Sequence, residues 1–266
     1  IIGVGHLGHY LVEGFANSKQ DIVFYLADPT PEKTEKLVSK YGGVSTTNNS
    51  HPANVIYTKN NLRYPVKTYA VNPKGGQLNR EPLYRQLGDI EGDVDMAVIA
   101  VRAQFVPNVV EDCIQKGVKG AVIISGGFSE SGNHALQKRV TDIAREANFP
   151  FVGPNCLGIY APDIVDTFFL PGERIIRPKK GNIGFVSQSG GVLVDQMVKF
   201  AGQGIGISLG VSIGNKAFLR EIDMIDWFEN DLETRVLAFY IEGFEQREGR
   251  EFIRRAQRCS KPIVVL

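Results

Sequence analysis

Short runs of apolar, mostly β-branched residues alternate along the chain with stretches in which apolar residues recur at helical spacing. This alternation is typical of parallel sheets whose strands are joined by helices, so it predicts an α/β fold with two doubly wound sheets. The predicted strands cover residues 1–4, 21–26, 66–71, 96–101, 121–124, 183–187, 205–211, 236–241 and 263–266. The predicted helices cover residues 7–16, 31–40, 54–62, 106–116, 133–147, 192–201, 219–229 and 249–258.

A proline-rich stretch separates the two series of elements. Residues 150–180 hold five of the thirteen prolines, which are rare inside helices and central strands. With the polar residues 42–52, this stretch predicts a segment 1–47, a domain 48–152 and a domain 153–266. Because the chain starts and stops inside apolar runs, we expect it to be a piece of a longer protein whose last domain is truncated.

Composition narrows the range of partners. The net charge of +1 offers no basic surplus for nucleic acid or an anionic membrane, and no apolar run reaches the roughly 18–20 residues that span a bilayer. The three cysteines (Cys113, Cys156 and Cys259) are widely spaced and form neither a metal-ligand pattern nor a disulfide framework. We therefore expect a cytoplasmic protein without a metal site of its own.

The first residues carry a glycine pattern. Gly3, Gly5 and Gly8 fit G-x-G-x-x-G between a predicted strand and a predicted helix, and Asp28 follows the next strand. In dinucleotide-binding folds such glycines let backbone N–H groups approach a pyrophosphate, while an acid about 20 residues further on binds a ribose. The same glycines would also serve simply to close the turn between strand and helix.

Segment 1–47 resembles the opening of pyrroline-5-carboxylate reductase and related nicotinamide-dependent reductases. The resemblance rests on residues 2–8, 11–14, 28–33 and 37–47. The rest of that family's nucleotide domain and its helical catalytic domain do not follow. A dinucleotide fold needs a second mononucleotide half to hold the nicotinamide, so we expect NAD(P) binding to be weak. An NAD(P)-dependent reductase fragment stays open as an alternative.

A second resemblance covers about residues 50–266. Motifs in one fixed order carry it: AVNPKGG (70–76), DMAVIAV (95–101), GVKGAVII (117–124), GFSE (127–130), GPNCLG (153–158), GNI (181–183), SQSG (187–190), SIGNK (212–216) and YIEG (240–243). They are similar to the NDP-forming acyl-CoA synthetases, the family of ADP-forming acetyl-CoA synthetase and of the succinyl-CoA synthetase α subunit. The resemblance implies a Rossmann-like CoA-binding domain followed by an incomplete flavodoxin-like succinyl-CoA-ligase domain.

Two kinds of anion-binding turn fit this resemblance. A lysine in a glycine-rich turn and the free N–H groups that begin a helix both suit phosphate. The resemblance implies that CoA and the phosphoryl group are held by Ser50, Lys74, Gly75, Val101, Arg102, Ala103, Ser189 and Gly190. The family usually has proline at the position of Arg102. Lys74 could also be a plain surface lysine, and Ser189 a plain helix cap.

The remaining implied residues concern the reacting acid. The resemblance places Asn155 beside the acyl group, Asn215 and Lys216 near the organic acid, and Glu242 where a carboxylate would orient an imidazole. Glu242 could also be a solvated acid at a strand end, and residues 153–156 a rigid turn. The implied reaction joins a small carboxylic acid to CoA through an acyl phosphate, with ATP giving ADP and phosphate.

The sequence departs from the family in two respects. The histidines are His6, His9, His51 and His134, so the phosphorylated histidine of the family, which follows a strand like 262–266, is absent. The ATP-grasp β subunit or domain that binds ATP and Mg is absent too, so we expect the fragment to be inactive alone. Residues 48–52 replace the usual Gly-Ala-Ser loop, and only Ser50 matches it. A non-catalytic CoA- or nucleotide-binding module is the second alternative.

Overall fold

The computed structural model describes the backbone of residues 21–26 and the complete residues 51–170 and 175–266. The predicted elements at 1–4, 7–16 and 31–40 lie outside these ranges. So do the candidate residues Gly3, Gly5, Gly8, Asp28 and Ser50.

The described elements alternate between strand and helix. The strands are β1 (Asp21–Leu26), β2 (Lys67–Val71), β3 (Gln77–Leu78), β4 (Glu81–Pro82), β5 (Met96–Ala100), β6 (Gly120–Ile123), β7 (Phe151–Val152), β8 (Gly158–Ala161), β9 (Val165–Asp166), β10 (Lys180–Ser187), β11 (Ile207–Ser212), β12 (Val236–Tyr240) and β13 (Ile263–Val265). The helices are α1 (Pro52–Arg63), α2 (Val106–Lys116), α3 (His134–Glu146), α4 (Gly190–Gly202), α5 (Glu221–Asn230) and α6 (Glu248–Ala256). Three-residue 3₁₀ helices lie at Leu87–Asp89, Ala103–Phe105 and Ser129–Ser131.

The first sheet has the strand order β2-β1-β5-β6-β7, and all its pairs are parallel. β1 lies between β2 and β5, with Tyr25 beside Val71 and Leu26 beside Ala100. Strand β5 is buried along its whole length, as its uninterrupted apolar sequence predicts for a strand covered on both faces. A strand of segment 1–47 is therefore part of the same sheet as residues 67–152.

The second sheet has the order β13-β12-β10-β11-β8-β9. Its first four strands run parallel, whereas β8 is antiparallel to β11 and β9 is antiparallel to β8. The predicted strands and helices that fall within the described residues agree with the observed ones to within three residues. The sequence pattern does not predict β3, β4, β7, β8 or β9, because these strands are only two to four residues long.

A cluster of buried charges, here called the Lys59 cluster, joins α1 to β9. Lys59 Nζ lies 2.8 Å from Asp166 Oδ1, and Arg177 pairs with the other carboxylate oxygen. The side chains of Lys59, Asp166 and Arg177 are 6%, 0% and 11% exposed. Burial lowers the pKa of Lys59 to about 8, although the Asp166 carboxylate opposes this shift. The cluster thus ties a helix of the first sheet to an edge strand of the second.

None of the described helices is long and apolar enough to cross a bilayer. Within residues 51–170 and 175–266, no three His, Cys, Asp or Glu side chains come together as a metal site would require.

Candidate CoA and phosphoryl sites at two sheet edges

The first candidate site is the turn that follows β2. The buried Asn72 side chain accepts a hydrogen bond from the Lys74 N–H at 3.0 Å, and the Asn72 carbonyl accepts one from the Gly75 N–H at 2.8 Å. Gly75 and Gly76 have φ values of +67° and +111°, which a side chain would strain. The turn therefore presents Lys74 at the carboxyl edge of the sheet, where α/β proteins bind ligands.

A second cation covers the same turn. A Cβ atom added to Gly75 would lie 3.3 Å from Nε of Arg85, so the guanidinium group packs directly against this glycine. Residues 83–84 bring Arg85 there, because the backbone of Tyr84 bonds to Ala70 and Asn72 beside the end of β2. The sequence holds no signal for this contact, since Arg85 lies outside every motif.

The segment Val101–Arg102–Ala103 follows β5, on the other side of β1 from the Lys74 turn. The buried Ser125 hydroxyl donates to the Val101 carbonyl at 2.6 Å. A Cβ on Gly127 would come within 3.2 Å of Ala103, so the two loops pack closely here. The predicted residues 74–75 and 101–103 thus flank the same end of β1, with Arg102 exposed to solvent.

The second candidate site lies where β10 meets α4. Ser189 is the N-cap of α4, and its hydroxyl accepts the Val192 N–H at 3.3 Å. The first N–H groups of a helix have no intrahelical acceptor and carry the positive end of the helix dipole, which favours an anion. Ser189 and Gly190 therefore stand at the positive end of a 13-residue helix.

Glu242 lies next to this helix end, because β12 pairs with β10 in the sheet. Its backbone N–H donates to Gln188 Oε1 at 2.7 Å, and Gln188 directly precedes the N-cap Ser189. The Glu242 side chain is exposed. Among the described residues, no side chain forms a hydrogen bond or ion pair with the Glu242 carboxylate.

Lys216 is surrounded by acceptors of the protein itself. Its Nζ lies 3.1 Å from Glu221 Oε1, 2.9 Å from Glu248 Oε2 and 2.9 Å from the carbonyl oxygen of Gly243. Burial alone would raise the pKa of Glu248, but the hydrogen bond from Lys216 and the Glu245 N–H outweigh it and hold this pKa below its usual value. Glu221 and Glu248 carry no motif signal, and only the fold brings them to Lys216.

Asn155 and Asn215 meet between the two sheets. The Asn155 amide donates to Asn215 Oδ1 at 3.2 Å, and the Asn215 amide donates to Gln137 Oε1 at 2.9 Å and to Glu130. The close approach needs Gly214, since a Cβ there would lie 2.3 Å from the Asn155 carbonyl oxygen. Burial opposes ionisation of Glu130, but bonds from Asn215 and from the Gly127 and Phe128 N–H groups lower its pKa.

The neighbouring Cys156 is a packing residue. It is fully buried, burial raises its pKa to about 12, and its thiol donates to the Ile123 carbonyl at 3.3 Å. A protonated, inaccessible thiol cannot act as a nucleophile at neutral pH.

The described histidines lie on the first sheet's helices. His51 is the N-cap of α1, where Nδ1 accepts the Ala53 N–H at 3.3 Å. His134 is the first residue of α3 and is exposed.

Comparisons with known proteins find two family matches along the chain. The family described as a CoA binding domain matches residues 42–162, and the succinyl-CoA ligase like flavodoxin domain matches residues 180–266. An acetate–CoA ligase (ADP-forming) of Methanocaldococcus jannaschii is 40% identical over 211 residues, which are 78% of this chain and 29% of that protein. Subunit alpha 2 of a succinate–CoA ligase (ADP-forming) from Archaeoglobus fulgidus is 32% identical over 79% of this chain and 72% of its own length.

A solved structure shows the same fold. It is the dinucleotide forming acetyl-coenzyme A synthetase 1 of Ca. Korarchaeum cryptofilum in complex with phosphate and ADP, at 32% identity and a TM-score of 0.78. It covers 93% of this chain, which spans 49% of that chain. The chain likewise spans 29% of the Methanocaldococcus ligase and 45% of the alpha subunit of acetate–CoA ligase I from Pyrococcus furiosus.

The α/β fold with a CoA-binding domain and a flavodoxin-like ligase domain is confirmed, and so is the resemblance of residues 50–266. The chain belongs to the NDP-forming acyl-CoA synthetase family and corresponds to its α-type part.

Proposed function

We propose that the chain is the CoA- and acyl-handling part of a cytoplasmic acid–CoA ligase that couples a small carboxylic acid to CoA while ATP is converted to ADP and phosphate. The observation that carries the proposal is that Gln188, the residue before the N-cap of α4, accepts the backbone N–H of Glu242, whose side chain is exposed. A carboxylate beside a helix N-terminus suits a phosphoryl group held on an imidazole, because the helix end binds the phosphoryl oxygens and the carboxylate accepts the ring N–H.

The chemistry proceeds in two steps. A carboxylate oxygen of the acid attacks the phosphorus of the phosphoryl group, the P–N bond breaks, and an acyl phosphate forms. The CoA thiolate then attacks the acyl carbon, the new C–S bond replaces the bond to oxygen, and phosphate leaves. Asn155 is exposed and its amide has a second N–H beyond the one bonded to Asn215, and we propose that this N–H donates to the acyl carbonyl.

The first sheet supports the CoA half of the proposal. Lys74, Gly75, Val101, Arg102 and Ala103 lie at one sheet edge, and Arg85 adds a cation to them. CoA carries a 3′-phosphate and a pyrophosphate, so a group of three cations, Lys74, Arg85 and Arg102, fits its nucleotide end. Ser50 is proposed to belong to this group.

We propose that segment 1–47 is a structural part of the first sheet. Its strand β1 lies between β2 and β5, so the reductase-like residues build the CoA-binding domain rather than a separate reductase. We propose that NAD(P) is not a cofactor and that Gly3, Gly5, Gly8 and Asp28 bind no dinucleotide.

The phosphoryl donor is proposed to come from a partner. Several relatives are named as alpha subunits, which supports an ATP-grasp β subunit or domain that binds ATP with Mg. His51 caps α1 and His134 begins α3, so neither stands beside Glu242 at the second sheet. We therefore propose that these 266 residues alone do not carry the reaction from ATP to acyl-CoA.

Calorimetric titration with CoA and with NADH tests the CoA half. We expect saturable CoA binding that Lys74→Ala weakens by about 1–3 kcal/mol, the scale of a charge-assisted hydrogen bond. Lys138→Ala is the matched control, because Lys138 pairs with Asp142 on the exposed face of α3. NADH should bind no tighter than about millimolar.

Three results would contradict this expectation. Unchanged CoA affinity in folded Lys74→Ala protein removes Lys74 from the site. Micromolar NADH binding that Gly5→Val abolishes favours a reductase. CoA binding without any turnover by the complete ligase favours a non-catalytic binding module.

A further inference from the structure

The residue before the N-cap of α4 holds the loop that carries Glu242. The Gln188 carboxamide oxygen accepts the N–H groups of Glu242 at 2.7 Å and Gly243 at 3.1 Å. Its nitrogen donates to the Gly243 carbonyl at 2.8 Å and to the Glu221 carboxylate. An amide side chain offers two acceptor and two donor positions, so Gln188 is fully used.

A buried group of charged side chains also contacts this loop. Lys216 donates to the Gly243 carbonyl oxygen and lies between the carboxylates of Glu221 and Glu248. The side chains of Lys216, Glu221 and Glu248 are 13%, 0% and 3% exposed. Each of the two carboxylates opens a helix, α5 or α6, where the helix dipole favours negative charge.

Glu248 adds a further backbone contact, because its Oε2 accepts the Glu245 N–H at 2.8 Å. The loop is therefore held at the backbone of Glu242, Gly243 and Glu245 by side chains from three other elements. The Glu242 carboxylate, by contrast, is exposed and has no hydrogen-bond or ion-pair partner among the described residues. The side chains fix the main chain and leave one functional group open.

We propose that Gln188, Lys216, Glu221 and Glu248, together called the Lys216 network, position the Glu242 carboxylate over the N-terminus of α4. This inference rests on the proposed function, in which Glu242 contacts the phosphoryl-carrying imidazole. It makes Lys216 a positioning residue, whereas the family resemblance implies contact with the acid. A lysine whose three protons already have protein acceptors has none left for a substrate carboxylate.

Hydrogen exchange of the Glu242 and Gly243 amides tests the positioning directly. Gln188→Met keeps the side-chain length and removes all four hydrogen bonds, so exchange at these two amides should speed up by about fivefold to tenfold, the value of one lost hydrogen bond. Exchange in α2, which lies on the other sheet, should stay unchanged. Gln203→Met, at the far end of α4, is the matched control.

A second variant keeps the test valid if Gln188→Met does not fold. Gln188→Glu retains an acceptor for both amides, loses the donors and places a carboxylate beside that of Glu221. Protection of the Glu242 and Gly243 amides should therefore be weaker than in wild type and stronger than in Gln188→Met. Unchanged exchange in folded Gln188→Met protein, or equal loss of protection in both variants, would overturn the inference.

Acyl-CoA formation by the complete ligase separates this inference from the proposed function. Gln188→Met should lower kcat and leave the KM for CoA unchanged, whereas Gln188→Glu should restore part of kcat. Glu242→Gln should also lower kcat, since a neutral amide orients an imidazole less strongly. If Glu242→Gln lowers kcat and Gln188→Met does not, positioning fails and the proposed function stands. If Glu242→Gln changes nothing while exchange responds to Gln188→Met, the proposed role of Glu242 fails.

Discussion

The molecule buries two groups of charges that look alike in composition and differ in what they hold. The Lys59 cluster pairs one carboxylate with two cations, and its remaining contacts go to the main chain at Phe168, Leu170 and Ile175. The Lys216 network pairs one buried ammonium with two carboxylates, one of which also lies 3.7 Å from Arg220, and it reaches the loop of the exposed Glu242.

The difference shows how to interpret buried charge. Buried ions are costly wherever they occur, so their presence alone does not mark a functional site. The Lys59 cluster is buried and joins a helix of the first sheet to an edge strand of the second, which is a structural role. The Lys216 network ends on the loop of Glu242, whose exposed carboxylate we propose to act at the N-terminus of α4.

The largest expected effect is the loss of folding stability when the Lys59 cluster loses its carboxylate. Asp166→Asn leaves the ammonium of Lys59 and the guanidinium of Arg177 buried without a counter-charge, and should lower the free energy of unfolding by about 3–5 kcal/mol. Urea denaturation measures this. Asp195→Asn is the control, because Asp195 and Lys199 form an exposed pair on α4 and should cost less than about 1 kcal/mol. Equal losses in the free energy of unfolding for the two variants would show that burial of the Lys59 cluster does not make its charges more important than an exposed pair.

The pH dependence of stability sharpens the same point. The pKa of Lys59 is about 8 in the folded chain and about 10.5 when unfolded, so the unfolded chain binds the extra proton between these values. Stability from this group therefore rises with pH through this window and falls as the pH drops through 8. Between pH 8 and 9.5 we expect wild type to gain on the order of 1–2 kcal/mol relative to Lys59→Met, measured by urea denaturation.

The pH window avoids the neighbouring tyrosines, because burial raises the pKa of both Tyr64 and Tyr160. In the unfolded chain their pKa is about 10, so most of each tyrosine is still neutral at pH 9.5, and the part that ionises affects wild type and Lys59→Met alike. A parallel pH profile for wild type and Lys59→Met would contradict the burial of this ammonium.

The smallest expected effect is the change in folding stability when the Lys216 network loses Gln188. Gln188→Met should lower the free energy of unfolding by only about 1 kcal/mol, because the released loop at 242–245 is exposed and water can replace the lost bonds. Urea denaturation against Gln203→Met measures it. A loss as large as that of Asp166→Asn would show that the Lys216 network also stabilises the whole fold. The contrast between the two regions would then disappear.

Much of the fold follows from local pattern. The apolar run of β5 predicts a buried parallel strand, and Pro107 near the start and Gly117 after the end of α2 mark that helix. Strands β8 and β9 are two to four residues long and antiparallel to their neighbours. No helical crossover is needed between them, so the alternation of strand and helix patterns does not predict them. Their pairing depends on tertiary contacts.

The residues of the candidate sites also divide into those that the sequence predicts and those that only the fold brings together. Lys74, Ser189 and Glu242 are predictable because each follows a strand, and the ends of parallel strands meet at one sheet edge. The partners of Lys216 are not, since Glu248 is 32 residues away and only the packing of α6 brings it near. Asn215 and Glu130 are 85 residues apart, and they lie in segments that follow strands of different sheets. Arg85 has no sequence signal at all.

The most direct test of the central claim is the second half of the reaction, which needs neither ATP nor a phosphorylated histidine. The chain is mixed with acetyl phosphate and CoA, and acetyl-CoA is measured against buffer alone. If the two sheet edges hold CoA and the acyl phosphate together, the rate should saturate in both substrates, and Lys74→Ala should raise the KM for CoA. A rate no higher than in buffer, with CoA shown to be bound, would contradict the account.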